Sequence, residues 1–214
     1  MSMIRKIIVV IAGFFINSVS HSSPIPPAPN LNVKAYVLMD FDSKMILASS
    51  NESLTLPPAS ITKMMTAYVA FTELKEKNIS LDEKILVSKK AWKTGGSKMF
   101  IEVGKKIKVR DILQGVITVS GNDASVALAE HISGDEKTFS TYMNQMATNL
   151  GLKNTNYTNS TGLPNDSLYT TAEDISLLSR ALISEFPELY KLYSKKSFQF
   201  NEIKQYSRNK LLFI

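Results

Sequence analysis

Two short patterns in this 214-residue sequence bring together side chains that could carry out acyl transfer. The first is Ser60, followed three positions later by Lys63 in an apolar run, 61–77, that predicts a helix. Residues three apart lie on one face of a helix, so the lysine amine would lie beside the serine hydroxyl. A serine hydroxyl becomes a nucleophile when a neighbouring base takes its proton. Lysine can be that base when burial or the positive end of a helix lowers its pKa.

The spacing alone is not specific, because Ser207 and Lys210 repeat it near the end of the sequence. A serine that caps a helix, followed by a solvated lysine, would give the same pattern. Pro57 and Pro58 impose an extended approach and discourage any helix before this point. The helix is therefore predicted to start at Ser60.

The second pattern is Ser120-Gly121-Asn122, which lies at a turn between two predicted apolar helices. A turn held by packed helices can project a hydroxyl and an amide rigidly into a cleft. The serine could relay a proton, and the asparagine could hold a peptide group. A helix N-cap is the alternative, since serine and asparagine both favour that position.

The sequence contains no cysteine and only two histidines, His21 and His131. A cysteine nucleophile, a thiolate metal site and a histidine-rich metal site are therefore excluded. A Ser-His-Asp triad in the body of the protein could use only His131. That histidine lies in an amphipathic stretch, 126–132, with no carboxylate evident to orient it, so we interpret it as a structural or surface residue. Lysine is the better candidate for the base.

Residues 1–22 predict a secretory signal peptide, because Arg5 and Lys6 precede an apolar run that is followed by small residues. The run is too short to span a bilayer as a lone helix, and an uncleaved anchor is the alternative. A proline-rich lead-in, 23–33, and the folded body, 34–214, follow. Cleavage would leave 23 basic and 19 acidic side chains, a net charge of +4. The lysines are scattered, which argues against nucleic-acid binding.

Hydrophobic periodicity and turn residues predict helices and strands in mixed order. Thr171 and Asp174 are predicted to form a capping box at the start of the last helix. Strands at both ends, with helices between them, indicate an α+β fold whose sheet joins the chain ends. The predicted strands are 34–40, 45–49, 84–88 and 197–206, and the predicted helices are 61–77, 109–119, 122–133, 135–150 and 175–185.

Four stretches carry a family resemblance, namely 58–66 (PASITKMMT), 97–100 (SKMF), 115–124 (GVITVSGNDA) and 150–155 (LGLKNT). From about residue 34 to the C-terminus, the sequence resembles the D-alanyl-D-alanine carboxypeptidases of the low-molecular-mass penicillin-binding group, serine peptidases of the S11 type. The resemblance implies the penicillin-binding and β-lactamase-like transpeptidase fold, in which a helical cluster packs on an antiparallel sheet.

The resemblance also implies roles for the two patterns. Ser60 would be the nucleophile, Lys63 the general base, Ser120 the proton relay and Asn122 the group that holds the substrate amide. Arg208 would stand near the substrate carboxylate, with a surface cation as the alternative. The substrate would be a peptidoglycan stem peptide ending in D-Ala-D-Ala, β-lactams would be covalent inhibitors, and no metal or cofactor is implied. The protein would be exported and would act at the periplasmic face of the inner membrane.

The family also has a K-T-G motif, which follows the S-x-N pattern on a strand at the edge of the site. The K-T-G of this sequence, 93–95, precedes Ser120 and lies in a glycine-rich loop, so we interpret it as coincidental. The family motif would come shortly after a segment like 209–212, and the sequence stops at Ile214. We therefore expect an incomplete sheet, a partial catalytic domain over 34–214, and the N-terminal part of a longer enzyme. Some relatives attach peripherally to the membrane through a C-terminal amphipathic segment that this sequence does not include.

Three alternatives to a carboxypeptidase follow from the same residues. An inactive fragment that at most binds wall peptides would fit the absent third motif. A D,D-endopeptidase acting on cross-links of the same polymer would use the same chemistry. A β-lactamase shares the first two motifs, but the sequence lacks an E-x-x-L-N deacylation signature.

Overall fold

The computed structural model describes Ala28 and residues 30–214, so the predicted signal peptide and most of the lead-in lie outside the described residues. Of the described helices, none is long and apolar enough to cross a membrane. Short 3-10 turns occur at Ala59–Thr62, Lys191–Ser194 and Lys210–Phe213. The strands and helices are, in chain order, β1 (Tyr36–Met39), β2 (Ile46–Ser50), α1 (Lys63–Lys75), β3 (Lys84–Leu86), α2 (Lys89–Lys93), β4 (Lys106–Lys108), α3 (Val109–Thr118), α4 (Asn122–Ser133), α5 (Glu136–Asn149), α6 (Ala172–Glu185), α7 (Pro187–Tyr190), β5 (Ser197–Phe200) and β6 (Ile203–Tyr206).

Helix α1 lies at the centre of the helical cluster because it is apolar on nearly all sides. Every residue from Met65 to Phe71 is buried, and the helix packs against α3, α4, α5 and α6. A helix that is apolar all round belongs in a core rather than at a surface. The helix that carries Lys63 in its first turn is therefore held on several sides by packed helices.

The predicted helix 61–77 differs from the structure at its start. Ser60 lies in the 3-10 turn Ala59–Thr62, and the α-helix begins only at Lys63. Ala59 has a left-handed backbone, with φ +46°, so regular helix cannot extend through it. Residues three apart eclipse one another in a 3-10 turn, which brings Ser60 and Lys63 to the same side.

Helices α3, α4 and α5 lie within one residue of their predicted bounds, and α3 and α4 pack closely against each other. The turn between them is closed by a hydrogen bond from the Gly121 N–H to the Gly115 carbonyl, at 2.9 Å. These contacts hold the turn that carries Ser120 and Asn122.

The strands form three separate antiparallel pairs, β1 with β2, β3 with β4, and β5 with β6. The single strand predicted over 197–206 is wrong, because Asn201 and Glu202 adopt left-handed backbones, with φ +45° and +62°, and fold it into a hairpin. Since β6 pairs with β5, no strand in the described part of the chain joins the two ends in one sheet, contrary to the prediction. The mixed α+β architecture is as predicted.

The capping box predicted for α6 is half right. The Thr171 hydroxyl accepts the Asp174 N–H at 3.1 Å, so the helix starts at Ala172 rather than at 175. The Asp174 carboxylate does not complete the box; it accepts hydrogen bonds from the backbone of Lys153 and Asn154. Asp174 therefore ties the segment after α5 to the start of α6.

Candidate active site

The structure brings Ser60 and Lys63 together and adds a third group from a distant part of the chain. The Lys63 amine lies 3.3 Å from Ser60 Oγ and 2.6 Å from the backbone oxygen of Thr161. Lys63 is only 5% exposed, whereas Ser60 is open to solvent. A neutral amine that donates one N–H to Thr161 still has its lone pair to accept the Ser60 proton.

Burial and a nearby cation both favour the neutral form of this amine. Burial lowers the pKa of Lys63 from 10.5 to about 8, and the positive charge of Arg208 adds to this effect. The position of Lys63 in the first turn of α1, at the positive end of that helix, acts in the same direction. A pKa near 8 leaves an appreciable fraction of neutral amine at physiological pH, as a general base requires.

A folded loop after α5 positions the Thr161 carbonyl. The Asn159 side-chain oxygen accepts hydrogen bonds from the Thr161 and Gly162 N–H groups, at 3.1 and 2.7 Å. The Ser160 carbonyl accepts the Thr66 hydroxyl of α1 at 2.7 Å. The loop is therefore tied to the same helix that carries Lys63.

Gly162 makes the closest approach between this loop and the turn that holds Ser60. A Cβ at this position would lie 1.8 Å from the Ala59 carbonyl oxygen, far inside any permitted contact. Gly162 also has φ +81°, a conformation that glycine adopts without strain. No other residue fits here, and the contact sets where the Ser60 turn lies over the loop.

Ser120 has two unusual features for a residue outside a regular element. Its backbone is left-handed, with φ +59°, and its hydroxyl is buried without a hydrogen-bond partner among the described residues. Buried hydroxyls are nearly always paired, and strained backbones concentrate at functional sites. The Ser120 hydroxyl therefore keeps its hydrogen-bonding capacity unused among the described residues.

Asn122 is fixed by the irregular segment that follows α2. Its backbone N–H donates to the Ser97 carbonyl at 2.7 Å, and its side-chain Nδ2 donates to the Gly95 carbonyl at 2.8 Å. Arg208 Nη2 donates to Ser97 Oγ at 2.6 Å. Asn122 and Arg208, far apart in sequence, thus meet at Ser97.

The K-T-G triplet lies outside any strand in the described structure. Lys93 ends α2, Thr94 caps that helix, and Gly95 supplies the carbonyl that holds Asn122. The triplet therefore supports the site through its backbone, which agrees with our interpretation that it is not the edge-strand motif.

His131 has a carboxylate partner that sequence reasoning missed. Its Nε2 contacts Glu83 Oε1, a residue next to β3, so the expectation that nothing orients this histidine is wrong. No hydrogen bond in the described part of the chain connects His131 to Ser60 or Lys63. The pair joins α4 to the segment before β3.

The structure thus assembles two groups of predicted residues. Ser60 and Lys63 form one group, and Asn122 and Arg208 form the other. The positive charge of Arg208 links the two groups because it lowers the pKa of Lys63. The contribution of Thr161 was missed because a backbone carbonyl has no residue-type signature. The Asn159-to-Gly162 spacing, which is typical of an asparagine-initiated turn, was the available signal.

Comparison with known proteins agrees with this fold. The sequence matches the D-alanyl-D-alanine carboxypeptidase family over residues 21–214. It is 41% identical over 207 residues to D-alanyl-D-alanine carboxypeptidase DacA of Haemophilus influenzae, covering 95% of this chain and 52% of that protein. The structure superposes on penicillin-binding protein 5 from the same organism with a TM-score of 0.86, at 43% identity over 88% of this chain and 56% of that one. It also superposes on the ampicillin-bound form of penicillin-binding protein D2 from Listeria monocytogenes with a TM-score of 0.73, at 29% identity over 86% and 76%.

These matches define the fold as that of the penicillin-binding proteins, as the four stretches of family resemblance predicted. The chain belongs to the D-alanyl-D-alanine carboxypeptidase family of serine peptidases. It spans about half the length of the curated relatives it matches, 52% of one and 48% of another.

The close contact at Gly162 can be tested by comparing Gly162→Ala with Gly151→Ala. Both glycines are left-handed, with φ +81° and +75°, so both substitutions incur backbone strain of roughly 1–2 kcal/mol. Only Gly162 has a neighbour that a methyl group would strike; nothing lies within 4 Å of a Cβ at Gly151. We expect Gly162→Ala to lower the free energy of unfolding by about 1–3 kcal/mol more than Gly151→Ala in urea titrations. Equal losses would contradict the proposed packing of the loop on the Ser60 turn.

Proposed function

We propose that this chain carries the acylation site of a serine-type D-alanyl-D-alanine carboxypeptidase, which removes the terminal D-alanine from peptidoglycan stem peptides. The observation that supports this most is the buried Lys63 amine, which lies 3.3 Å from the exposed Ser60 hydroxyl and has a pKa of about 8. A paired nucleophile and base of this kind suits acyl transfer through a covalent intermediate.

In the proposed acylation step, neutral Lys63 accepts the Ser60 proton as Oγ attacks the carbonyl carbon between the two terminal D-alanines. The tetrahedral intermediate collapses when the C–N bond breaks and the leaving D-alanine nitrogen takes up a proton relayed by Ser120. This leaves an ester between Ser60 and the shortened peptide. Water then adds to the ester carbonyl, the Ser60 oxygen leaves, and the free peptide acid and the serine hydroxyl are restored.

The second group of residues would bind the peptide. Asn122 uses one side-chain N–H for the Gly95 carbonyl, which leaves its other N–H and its oxygen for a substrate amide. Arg208 is exposed and cationic, so we assign it to the terminal carboxylate of the substrate. The ampicillin-bound Listeria relative supports a further part of the proposal, that β-lactams acylate Ser60.

The setting of the enzyme is also part of the proposal. Residues 1–22 would direct export and residues 34–214 would form the catalytic part, at the periplasmic or extracytoplasmic face of the inner membrane. Arg5 and Lys6 before an apolar run support the first point.

A non-catalytic chain that binds wall peptides without turnover is the second candidate. It is favoured by one observation: the only K-T-G of the sequence ends α2 and holds Asn122 by its backbone, so it is not on a strand beside Ser60.

Intact mass of the protein after incubation with benzylpenicillin separates the two candidates. We expect a covalent adduct on the parent chain and none on Ser60→Ala, because that substitution removes the nucleophile. A folded parent without an adduct would support the non-catalytic candidate. Adducts on both proteins would contradict Ser60 as the nucleophile.

The role of Lys63 as a base is tested by Lys63→Arg, with Lys210→Arg as the matched control from the second S-x-x-K spacing. Arginine keeps the positive charge but does not lose its proton at accessible pH. We expect the acylation rate to fall by about 10²–10⁴-fold for Lys63→Arg, which is the usual contribution of a general base. Rates within twofold of the parent for both variants would contradict the assignment.

A further inference from the structure

One segment beside the candidate site depends on a single buried carboxylate. Met99, Phe100 and Ile101 lie in the irregular stretch between α2 and β4, and their backbone N–H groups all donate to the carboxylate of Asp123. The distances are 2.8, 2.9 and 3.2 Å, and Asp123 is 1% exposed. The carboxylate also accepts the N–H of Ala124 at 2.9 Å.

The backbone of this segment is shaped around the carboxylate. Phe100 has a left-handed backbone, with φ +66°, although it is half exposed. Successive backbone N–H groups in a turn conformation can form a concave nest that binds an anion. Here the bound group is the carboxylate of Asp123, which explains why Phe100 adopts a left-handed backbone.

Neighbouring glycine positions confirm how tightly the segment and the α3–α4 turn fit together. A Cβ at Gly121 would lie 3.0 Å from Asp123 Oδ1 and 3.1 Å from the Met99 nitrogen. A Cβ at Gly96 would lie 2.6 Å from Asn122 Nδ2. Side chains at either glycine would push the segment away from the turn.

The segment held by Asp123 is the same one that orients Asn122. It supplies the Ser97 carbonyl to the Asn122 backbone N–H and the Gly95 carbonyl to its side-chain Nδ2. It also holds Arg208 through the Ser97 hydroxyl. Both residues assigned to substrate binding therefore depend on where this segment lies.

We propose that Asp123 is a positioning residue: by gathering the N–H groups of 99–101, it clamps the 95–101 segment onto the α3–α4 turn and thereby fixes the Asn122 amide and Arg208. Asp123 does not touch substrate in this arrangement. The inference rests on the proposed acylation function for its kinetic consequence, but the orientation of Asn122 can be measured without it.

A helix-capping role would not account for these contacts. An acidic residue at the start of a helix ordinarily serves its own first turn, and only the Ala124 bond does so here. The other three donors lie 22 to 24 residues earlier in the chain. The carboxylate therefore accepts most of its hydrogen bonds from the 99–101 segment rather than from α4.

Asp123→Asn tests the clamp, and Asp174→Asn is a matched control. Asp174 is also buried, lies in the first turn of α6, and accepts hydrogen bonds from the Lys153 and Asn154 backbone, but the described hydrogen bonds of that segment do not include Asn122 or Arg208. In both variants an amide NH₂ replaces an acceptor, so we expect similar losses in melting temperature.

At a temperature where both variants remain folded, we expect benzylpenicillin to acylate Asp123→Asn about 10- to 100-fold more slowly than the parent, because small displacements of binding groups reduce rates by this order. We expect Asp174→Asn to stay within twofold.

An acylation rate for Asp123→Asn that equals that of Asp174→Asn would overturn the proposal and leave Asp123 as a purely structural residue. The second readout is the side-chain amide signal of Asn122 in ¹⁵N NMR spectra. We expect slow hydrogen exchange of Nδ2 in the parent and in Asp174→Asn, and rapid exchange in Asp123→Asn. If the parent is not acylated but the NMR signal behaves in this way, the positioning role stands and the proposed function fails. An unchanged Asn122 signal in Asp123→Asn would overturn the positioning role whatever the kinetics show.

Discussion

The candidate site depends on one buried amine, that of Lys63, which has no carboxylate partner among the described residues. Among the described residues, Lys63 Nζ has hydrogen-bonding partners in Ser60 Oγ and the Thr161 carbonyl, and neither carries a charge. Burying a cation in this way is costly, which is why its pKa falls to about 8. Because the unfolded chain keeps the ordinary lysine pKa of 10.5, it binds more protons than the folded chain between pH 8 and 10.5. The folded state is therefore destabilised by about 3 kcal/mol below pH 8, and this penalty fades as the pH rises through that window.

The surrounding structure supplies the packing that makes such a site possible. Helix α1, buried from Met65 to Phe71, holds the lysine from one side. The 159–162 loop lies on the other side and is fixed by hydrogen bonds to the Asn159 side chain and from the Thr66 hydroxyl. Three non-glycine residues with left-handed backbones, Ala59, Phe100 and Ser120, lie in the turns and segments that form the site. Each costs of order 1–3 kcal/mol, and such residues persist where the surrounding structure determines them. Strain is thus concentrated where a hydroxyl, an amide or a backbone carbonyl must point in a fixed direction.

The sequence predicted those pairs of site residues that lie close together along the chain. Ser60 and Lys63 are three residues apart, and Ser120 and Asn122 are two apart, so their spacing is visible without a fold. Thr161 lies 98 residues beyond Lys63 and contributes only its backbone, so nothing about its side chain indicates the contact.

The same limit explains the errors in the fold. Alternation over 197–206 fits a long strand and a hairpin equally well, and only the left-handed backbones of Asn201 and Glu202 decide between them. Asp174 was predicted only as a helix cap and Asp123 was assigned no role, yet each uses its carboxylate to hold a segment about twenty residues earlier in the chain. Helices α3 to α5 were predictable because hydrophobic periodicity is a local property, and Gly134 and Gly151 mark the ends of α4 and α5.

The most direct test of the central claim is the pH dependence of the rate at which benzylpenicillin acylates Ser60, measured between pH 6 and 10 with circular dichroism to confirm folding at each pH. If neutral Lys63 is the base, the rate rises tenfold per pH unit below about pH 8 and levels off above it, because the pKa of Lys63 is about 8. A rate that does not change with pH, or one that continues to rise towards the ordinary lysine pKa of 10.5, would contradict the account.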